Sequence, residues 1–278
     1  MIQQIQIYFR NLPNLDSFIG HVHDMFDYSA MLQTLSAENE ANNNSEIWQK
    51  FSTAAFGALK FLEDHFGNME NLEGVEDGLV KLLAENFNED EVVKIANDLI
   101  IAAADTTSYT MLWTMYLMAN HGARYQSCDK INWKNIFRES MRLYPVAPFL
   151  TRIQQKDLDT QHGYTIKKGQ IVLISIYAMG RNDSNFSNAD NFIPERWERS
   201  QDGKLKGVSN SFASLPFGFG SRSCIGKKMA EQQMEYFLEQ FFKRFTLTTT
   251  TNQEQQVEMA MKLIGMPNKK IVFKITRK

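Results

Sequence analysis

The order of apolar and polar positions predicts helices in the first half of the chain and mixed strands, loops and helices in the second. Apolar residues run nearly all round the segment from Val92 to Ala119, which indicates one long core helix over about 88–122. Asn88 or Asp90 can cap its start, and Gly122 suits its end. A second helix is predicted over Trp133–Leu143, because the residue before Pro145 disfavours helical backbone.

After residue 145 the pattern predicts a β-hairpin, an amphipathic helix and a final strand. Residues 163–176 are expected to form the hairpin, with its turn at 167–170 and a buried strand over 171–174. The helix is predicted over 228–245, and residues 271–278 alternate as in a strand. The apolar side of that helix is expected to carry Met229, Met234, Phe237, Leu238 and Phe241. The fold class is therefore mainly α with small β-sheets.

The long helix leaves two interpretations open, a central core helix and a membrane span over residues 99–119. A span needs about 20 predominantly apolar residues, which this segment approaches. Asp105 lies within it, however, and a carboxylate near mid-membrane costs about 2.5–3.5 kcal/mol. The core helix is the favoured interpretation.

Composition and charge exclude some classes of protein. Two cysteines, Cys128 and Cys224, cannot build a disulfide framework, and no CxxC pair suggests zinc. The net charge of −2 argues against a nucleic-acid partner. Residues 1–121 nevertheless hold 5 Lys and Arg against 18 Asp and Glu, and the remainder holds 25 against 14. The two parts either neutralise each other on folding, or the basic part has an acidic partner.

The most informative segment is Phe-Gly-Phe-Gly-Ser-Arg-Ser-Cys-Ile-Gly at 217–226. Its glycines allow a tight turn whose N–H groups can point at one acceptor, and a helix start favours the thiolate form of Cys224. Such a thiolate suits a metal ligand, above all for haem iron. The alternatives are a buried core cysteine and a nucleophile, for which the sequence offers no neighbouring histidine.

This ten-residue segment resembles the haem-binding loop of cytochromes P450 position for position. The resemblance implies haem b as cofactor, with Cys224 as the axial thiolate ligand of the iron. It implies that Arg222 pairs with a haem propionate, that Phe217 packs beside the loop, and that Gly218 and Gly226 belong to the haem site.

Other motifs of the same family follow in the right order. Glu139-Ser-Met-Arg142, followed by Leu-Tyr-Pro, resembles the ExxR motif, and positions i and i+3 share one helix face. Pro-Glu-Arg-Trp at 194–197 is similar to the PERF segment, which implies that Arg196 completes a buried network with Glu139 and Arg142. Arg152 stands where the family often has a second arginine for the propionates.

Residues 102–107, Ala-Ala-Ala-Asp-Thr-Thr, resemble the oxygen-activation motif within the long helix. The resemblance implies that Thr106 hydrogen-bonds dioxygen and that Asp105 relays protons through water. The alternative is a threonine bonded to the preceding turn and an aspartate paired elsewhere. Ala103 stands where the family usually has glycine, which bears on the shape of the pocket.

The resemblance covers roughly residue 88 to the C-terminus, and more faintly the region from Trp48. The family's N-terminal part is absent, and a short polar link over 121–132 replaces one or two helices. We therefore interpret residues 1–278 as a single incomplete cytochrome P450 domain. Its parts are a helical distal region (1–87), the central helix (88–122) and the haem-loop half (123–278). Residues 1–10 resemble neither a membrane anchor nor a transit peptide.

Within the family, residues 143–152 and 215–231 most resemble the animal mitochondrial group, including insect ecdysteroid hydroxylases. The resemblance implies a haem-thiolate monooxygenase that inserts one oxygen atom of O₂ into a lipophilic substrate such as a steroid or ecdysteroid. The alternative function is a truncated, inactive P450-like fragment that does not hold haem.

The same resemblance suggests partners and a location. Electrons would come from a small acidic ferredoxin docked near Lys227 and Lys228, with Arg138 close by. No nucleic-acid partner is expected. The location implied is the mitochondrial membrane, with the endoplasmic reticulum membrane as the alternative, and with peripheral membrane contact in the full-length parent.

Overall fold

The computed structural model describes residues 13–66, 83, 85–126, 132–160, 162–249 and 257–278. The chain divides into two compact units, Met1–Asp105 and Thr106–Lys278. The interpretation as one incomplete domain with boundaries at 87 and 122 stays a prediction. The interpretation of residues 1–10 and the central part of the 121–132 link lie outside the described residues.

Helices form most of the described structure, and the predicted fold class, mainly α with small β-sheets, is confirmed. Their bounds are Leu15–Thr34 (α1), Ala37–Asn42 (α2), Glu46–Phe66 (α3), Glu89–Asn120 (α4), Gly122–Tyr125 (α5), Trp133–Leu143 (α6), Ile176–Gly180 (α7) and Lys227–Arg244 (α8). The three helices predicted from apolar periodicity, α4, α6 and α8, lie within two residues of their expected bounds. In the described segments, no helix is both long and apolar enough to cross a bilayer, so the alternative span over 99–119 is not found.

Helix α4 begins at a reciprocal cap. The Asn88 side chain accepts a hydrogen bond from the Glu91 N–H (3.0 Å), and the Glu91 carboxylate accepts one from the Asn88 N–H (3.1 Å). This exchange satisfies two backbone donors at the helix start. The predicted choice between Asn88 and Asp90 is therefore settled in favour of Asn88.

The first unit is built around the packing of α1 on α3. Its core contains Phe18, Val22, Ala58 and Phe61, and the Phe18 and Phe61 rings stack with centroids 4.7 Å apart. Ile100 and Ile101, from the first part of α4, pack against the same core. The resulting apolar layer holds α1 against the first part of α4.

The second unit has a large aromatic core between α4, α6 and α8. Trp113 is fully buried, stacks on Tyr144 at 4.0 Å between centroids, and donates its indole N–H to the Gly265 carbonyl (3.1 Å). On α8, Met234, Leu238 and Phe242 are buried. The predicted apolar side of α8 is partly wrong, because Met229 (57% exposed) and Phe237 (40%) face outward.

The described strands form four antiparallel pairs, and their pairing corrects the predicted hairpin. They are Phe149–Ile153 (β1), Leu158–Asp159 (β2), Thr165–Ile166 (β3), Ile171–Ser175 (β4), Phe245–Thr249 (β5), Met259–Met261 (β6), Gly265–Pro267 (β7) and Phe273–Arg277 (β8). The turn at 167–170 exists, but β3 pairs with β2 and β4 pairs with β1. The strand over 171–174 is not buried, since Ile171 is 71% exposed and Leu173 is 60% exposed. The last pair joins β5 to β8, which confirms the predicted final strand.

Candidate haem-thiolate site

The segment 217–226 folds as a compact loop directly ahead of α8. Gly218 (φ 70°) and Gly220 (φ 75°) adopt left-handed backbone, which other residues rarely do. The Cys224 N–H donates to the Phe217 carbonyl at 2.8 Å and closes the loop. Gly226 is the N-cap of α8. The glycines therefore let eight residues, 217–224, bring Cys224 back to the start of the segment.

The Cys224 side chain is exposed. A buried core cysteine is thereby excluded. In the described part of the chain no hydrogen bond reaches its Sγ atom, although the sequence suggested that loop N–H groups would point there. A Cβ atom added at Gly226 would lie 3.9 Å from Sγ, so the glycine keeps the space beside the sulfur open.

The cysteine loop and strand β1 beside it expose apolar side chains and arginines. Phe219 is 67% exposed and Ile225 is 89% exposed, which is costly unless a large apolar group covers them. A Cβ atom at Gly218 would lie 4.0 Å from Leu150 Cδ2, so strand β1 runs beside the loop. Arg152 of β1 and Arg222 of the loop are exposed, and in the described structure neither forms an ion pair. An accessible sulfur, apolar flanks and two unpaired arginines fit a haem, a planar apolar group with two carboxylates.

Phe217 connects the loop to the core and to α8. Its ring is half-buried and packs against the large core of the second unit. The Lys227 ammonium lies 5.5 Å from the centroid of the Phe217 ring. Lys227 and Lys228 are exposed, and the first turn of α8 contains no acidic residue. Two cations at a helix N-terminus oppose the helix dipole, so local stability does not explain them.

Glu139 on α6 is the centre of a fully buried polar network. Its carboxylate accepts two hydrogen bonds from Arg142, at 2.9 and 2.8 Å, and one from Arg196 Nε at 2.8 Å. The Trp197 indole N–H and the Ile193 backbone N–H each add a bond of 2.9 Å. The side chains of Glu139, Arg142 and Arg196 are at most 1% exposed. Five donors and two guanidinium charges thus compensate one buried carboxylate.

The two arginines use their remaining donors to fasten the irregular segment that follows α7. Arg142 donates to the carbonyls of Gly180 (2.6 Å) and Asn191 (2.9 Å). Arg196 donates to the carbonyls of Ser187 (2.8 Å) and Gly207 (3.1 Å). This segment has little regular structure, so its carbonyl groups lack the backbone hydrogen bonds that a helix or sheet would supply. The bonds from the two arginines replace them.

Asp105 on α4 is buried and paired with a residue that sequence reasoning missed. Its Oδ1 atom lies 3.1 Å from Nε2 of His23 on α1. Burial raises the pKa of Asp105, the charge and hydrogen bond of His23 partly offset that rise, and Asp27 adds to it. The next residue, Thr106, is half-buried, and its carbonyl accepts the Thr110 hydroxyl at 2.7 Å.

The structure brings some predicted site residues together and adds others. It joins Glu139, Arg142 and Arg196 in one network, and it sets the Cys224 loop against β1. Trp197 and His23 complete these groups. Trp197 belongs to the segment that the sequence singled out, whereas no sequence signal links His23 to a residue 82 positions away.

An exposed cysteine closed into a glycine loop ahead of a long helix is the arrangement that haem-thiolate proteins need. The sequence matches the profile of the family described as Cytochrome P450 over residues 4–130 and 133–275, and the chain belongs to this family. The match begins well before residue 88, so the predicted extent of the resemblance was too short. The two residues between the matched stretches, 131 and 132, lie in the predicted polar link.

Curated proteins that are similar to this chain also belong to the cytochrome P450 family. The chain is 30% identical over 269 residues to cytochrome P450 315a1, mitochondrial, of Drosophila melanogaster, covering 92% of this chain and 51% of the relative. It is 30% identical over 288 residues to the mitochondrial cholesterol side-chain cleavage enzyme of Hypanus americanus, covering 93% and 54%. It is 26% identical over 279 residues to the mitochondrial 1,25-dihydroxyvitamin D(3) 24-hydroxylase of Mus musculus, covering 92% and 53%. The chain spans about half the length of these relatives.

Proposed function

We propose that the chain supplies the haem-thiolate part of a monooxygenase that inserts one oxygen atom of O₂ into a lipophilic substrate. The observation that carries this proposal is the exposed sulfur of Cys224, held by the loop hydrogen bond to Phe217 and left uncovered by Gly226. Membership of the cytochrome P450 family supports the same chemistry.

In this proposal each group of residues has a separate task. Cys224 holds the iron of haem b as a thiolate, and Arg222 and Arg152 pair with the propionates. When bound, the haem supplies oxygen-activating redox chemistry, for which a thiolate ligand favours O–O cleavage. Gly218 and Phe217 keep the loop in place, and the network around Glu139 holds the irregular segment that follows α7.

Asp105 and Thr106 handle protons. A buried carboxyl whose pKa is raised holds its proton nearer neutral pH than an exposed one, which suits a residue that accepts and returns protons. The Thr106 hydroxyl would donate a hydrogen bond to dioxygen. Ala103 adds a methyl group where the family usually has none, so it would narrow the space beside the reacting atoms.

The substrate class and location follow from the relatives. One relative is named for cholesterol side-chain cleavage and another for 24-hydroxylation of 1,25-dihydroxyvitamin D(3), and both names carry the word mitochondrial. These names support a steroid-like substrate and a mitochondrial location. The ecdysteroid class and the mitochondrial membrane are proposed from the resemblance of the motifs alone. The endoplasmic reticulum membrane remains the alternative location.

The test of the cofactor site is the spectrum of the haem-loaded chain. We expect the 278-residue protein, reconstituted with haem, reduced and exposed to carbon monoxide, to show the long-wavelength band of a thiolate-ligated haem. Cys224→Ser should remove this band entirely, because a neutral hydroxyl does not replace the thiolate. Ser223→Ala, an exposed neighbour, is the matched control and should retain it.

The absence of the band from the wild-type chain would overturn the proposal. It would favour the alternative, a fragment that carries the motifs without holding haem. The experiment needs to distinguish these two functions because the chain spans only about half the length of its relatives. A band that persists in Cys224→Ser would instead show that another residue ligates the iron.

The proposed electron donor is a small acidic ferredoxin that docks at Lys227 and Lys228. We expect Lys227→Glu with Lys228→Glu to weaken ferredoxin binding by about tenfold at low ionic strength, with the difference shrinking as salt is added. Acidic residues suit a helix N-terminus, so the change should not destabilise α8.

The control for this prediction carries the same change of charge elsewhere. Lys269→Glu with Lys270→Glu alters two exposed lysines near the C-terminus and should leave ferredoxin affinity close to wild type. Equal losses in the two double variants would assign the effect to net charge and reject the docking site. Titration calorimetry at several salt concentrations separates the outcomes.

A further inference from the structure

His23 and Asp105 form a polar pair within the first unit that joins solvent to a buried carboxyl. The Asp105 side chain is 9% exposed, whereas that of His23 is 52% exposed. Of the described residues, His23 alone forms a hydrogen bond with the Asp105 side chain. The imidazole ring therefore contacts both bulk water and the carboxyl, whose own access to water is small.

The pair lies between an apolar core and a small set of charged groups. The core beside it is apolar, with Phe18 and Val22 of α1 buried and Ile100 and Ile101 packed against them. The charged groups of the described chain that act on Asp105 are His23, which favours its ionised form, and Asp27, which opposes it. Both lie on α1, so within the described residues this helix supplies the charges that act on the carboxyl.

We propose that His23 is the positioning residue for Asp105 and the route by which protons from solvent reach it. This inference rests on the proposed function, in which Asp105 relays protons. A histidine suits the task because its charge changes near neutral pH and because both ring nitrogens can exchange protons. An amide in its place could hold the carboxyl but could not deliver a proton, which makes glutamine the substitution that separates the two roles.

The proposed proton transfer returns both residues to their starting protonation states. Protonated His23 donates the proton on Nε2 to the Asp105 carboxylate, which becomes the neutral acid while the imidazole becomes neutral. Water at the exposed side of the ring returns a proton to His23. Asp105 then passes its proton onward and is again ionised, so each cycle moves one proton from solvent and leaves both residues unchanged.

The first test reads the carboxyl directly and needs no haem. The chain is labelled with ¹³C at aspartate carboxyl carbons, the Asp105 signal is assigned with Asp105→Asn, and its pKa is measured by NMR titration. We expect His23→Gln to raise the pKa of Asp105 further, because a favourable positive charge is lost, and Asp27→Asn to lower it.

A matched control lies on the same helix. His21 packs over Gly57, where an added Cβ atom would fall 2.6 Å from its ring nitrogen. Within the described residues it forms neither a hydrogen bond nor an ion pair with Asp105. His21→Gln should therefore leave the Asp105 titration unchanged. If His23→Gln also leaves it unchanged, the pair does not form in solution and the proposal falls.

The second test separates delivery of protons from mere positioning. In haem-loaded chain that shows the thiolate band, we expect His23→Gln to shift the pH profile of product formation and to increase its solvent isotope effect. His21→Gln should do neither. An altered Asp105 titration with an unaltered pH profile and isotope effect would overturn the relay. A missing thiolate band would reject the proposed function instead, and the titration would still decide whether His23 controls Asp105.

Discussion

Replacing Glu139 with alanine is expected to lower the free energy of unfolding by about 3–5 kcal/mol, the range measured when one partner of a buried ion pair is removed. The substitution leaves the Arg142 and Arg196 guanidiniums buried without a counter-charge and leaves the Trp197 and Ile193 N–H groups without their acceptor. Urea unfolding followed by tryptophan fluorescence measures the loss, since Trp197 itself contacts the carboxylate.

A subtler variant separates charge from shape at the same position. Glu139→Gln preserves the volume, but an amide presents one acceptor oxygen and one donor nitrogen. In the wild-type protein, Oε1 of Glu139 accepts from three donors and Oε2 from two. The NH₂ group of a glutamine at this position would therefore face donors instead of an acceptor, whichever way the amide is oriented. We expect this variant to lose most of the same stability.

The control is a glutamate in an exposed ion pair. Glu198 pairs with Lys206, and its side chain is 43% exposed. Glu198→Ala should cost no more than about 1 kcal/mol, as is usual for exposed pairs. If Glu139→Ala cost no more than Glu198→Ala, the buried network would not contribute to stability as its geometry indicates.

Gly180→Ala is expected to destabilise the chain by about 1–3 kcal/mol, the usual cost of overpacking a close contact. A Cβ atom at this position would lie 2.7 Å from the Arg142 carbonyl oxygen and 3.3 Å from Arg142 Cγ. The carbonyl belongs to the backbone of α6 and cannot rotate away. Because the Gly180 carbonyl also accepts from Arg142, any shift of α7 that relieves the clash weakens the network as well.

Gly20 on α1 provides the matched control for this change. A Cβ atom there meets nothing within 4 Å, and the residue is helical. Gly20→Ala should therefore be neutral or stabilise the chain by up to about 1 kcal/mol, since alanine favours helix over glycine. Thermal unfolding of both variants distinguishes a steric effect at Gly180 from a general response to added methyl groups.

Helix positions could be predicted from the sequence because their signals are local. Helix α6 occupies the predicted residues because its apolar face, its Asn132 cap and Pro145 all act within a few positions of its ends. Strand pairing could not be predicted in the same way. The turn at 167–170 was predicted correctly, but its last two residues bond to Gln154, which accepts from the Gly169 N–H and donates to the Gln170 carbonyl. Strand β4 therefore continues along β1, while β3 pairs with β2.

The candidate site shows the same division between local and distant information. The spacing of Glu139 and Arg142 indicates a shared helix face, and the loop around Cys224 has a recognisable order of glycines. Two other contacts depend on tertiary packing instead. They are the hydrogen bond from Trp197 to Glu139 and the pairing of His23 with Asp105. A half-exposed histidine on an amphipathic helix resembles any solvated residue until the buried carboxyl beside it is seen.

The buried network has a consequence for how this protein acquires its structure. Every group that the network joins in the described chain, from Glu139 to the Gly207 carbonyl, lies within one continuous segment. The charged groups of the network can therefore be desolvated in one step, when this segment folds. This step does not require the N-terminal or C-terminal part of the chain to be folded. Such a segment is suited to behave as one cooperative unit in hydrogen exchange, with amides such as that of Ile193 opening only when the whole unit opens.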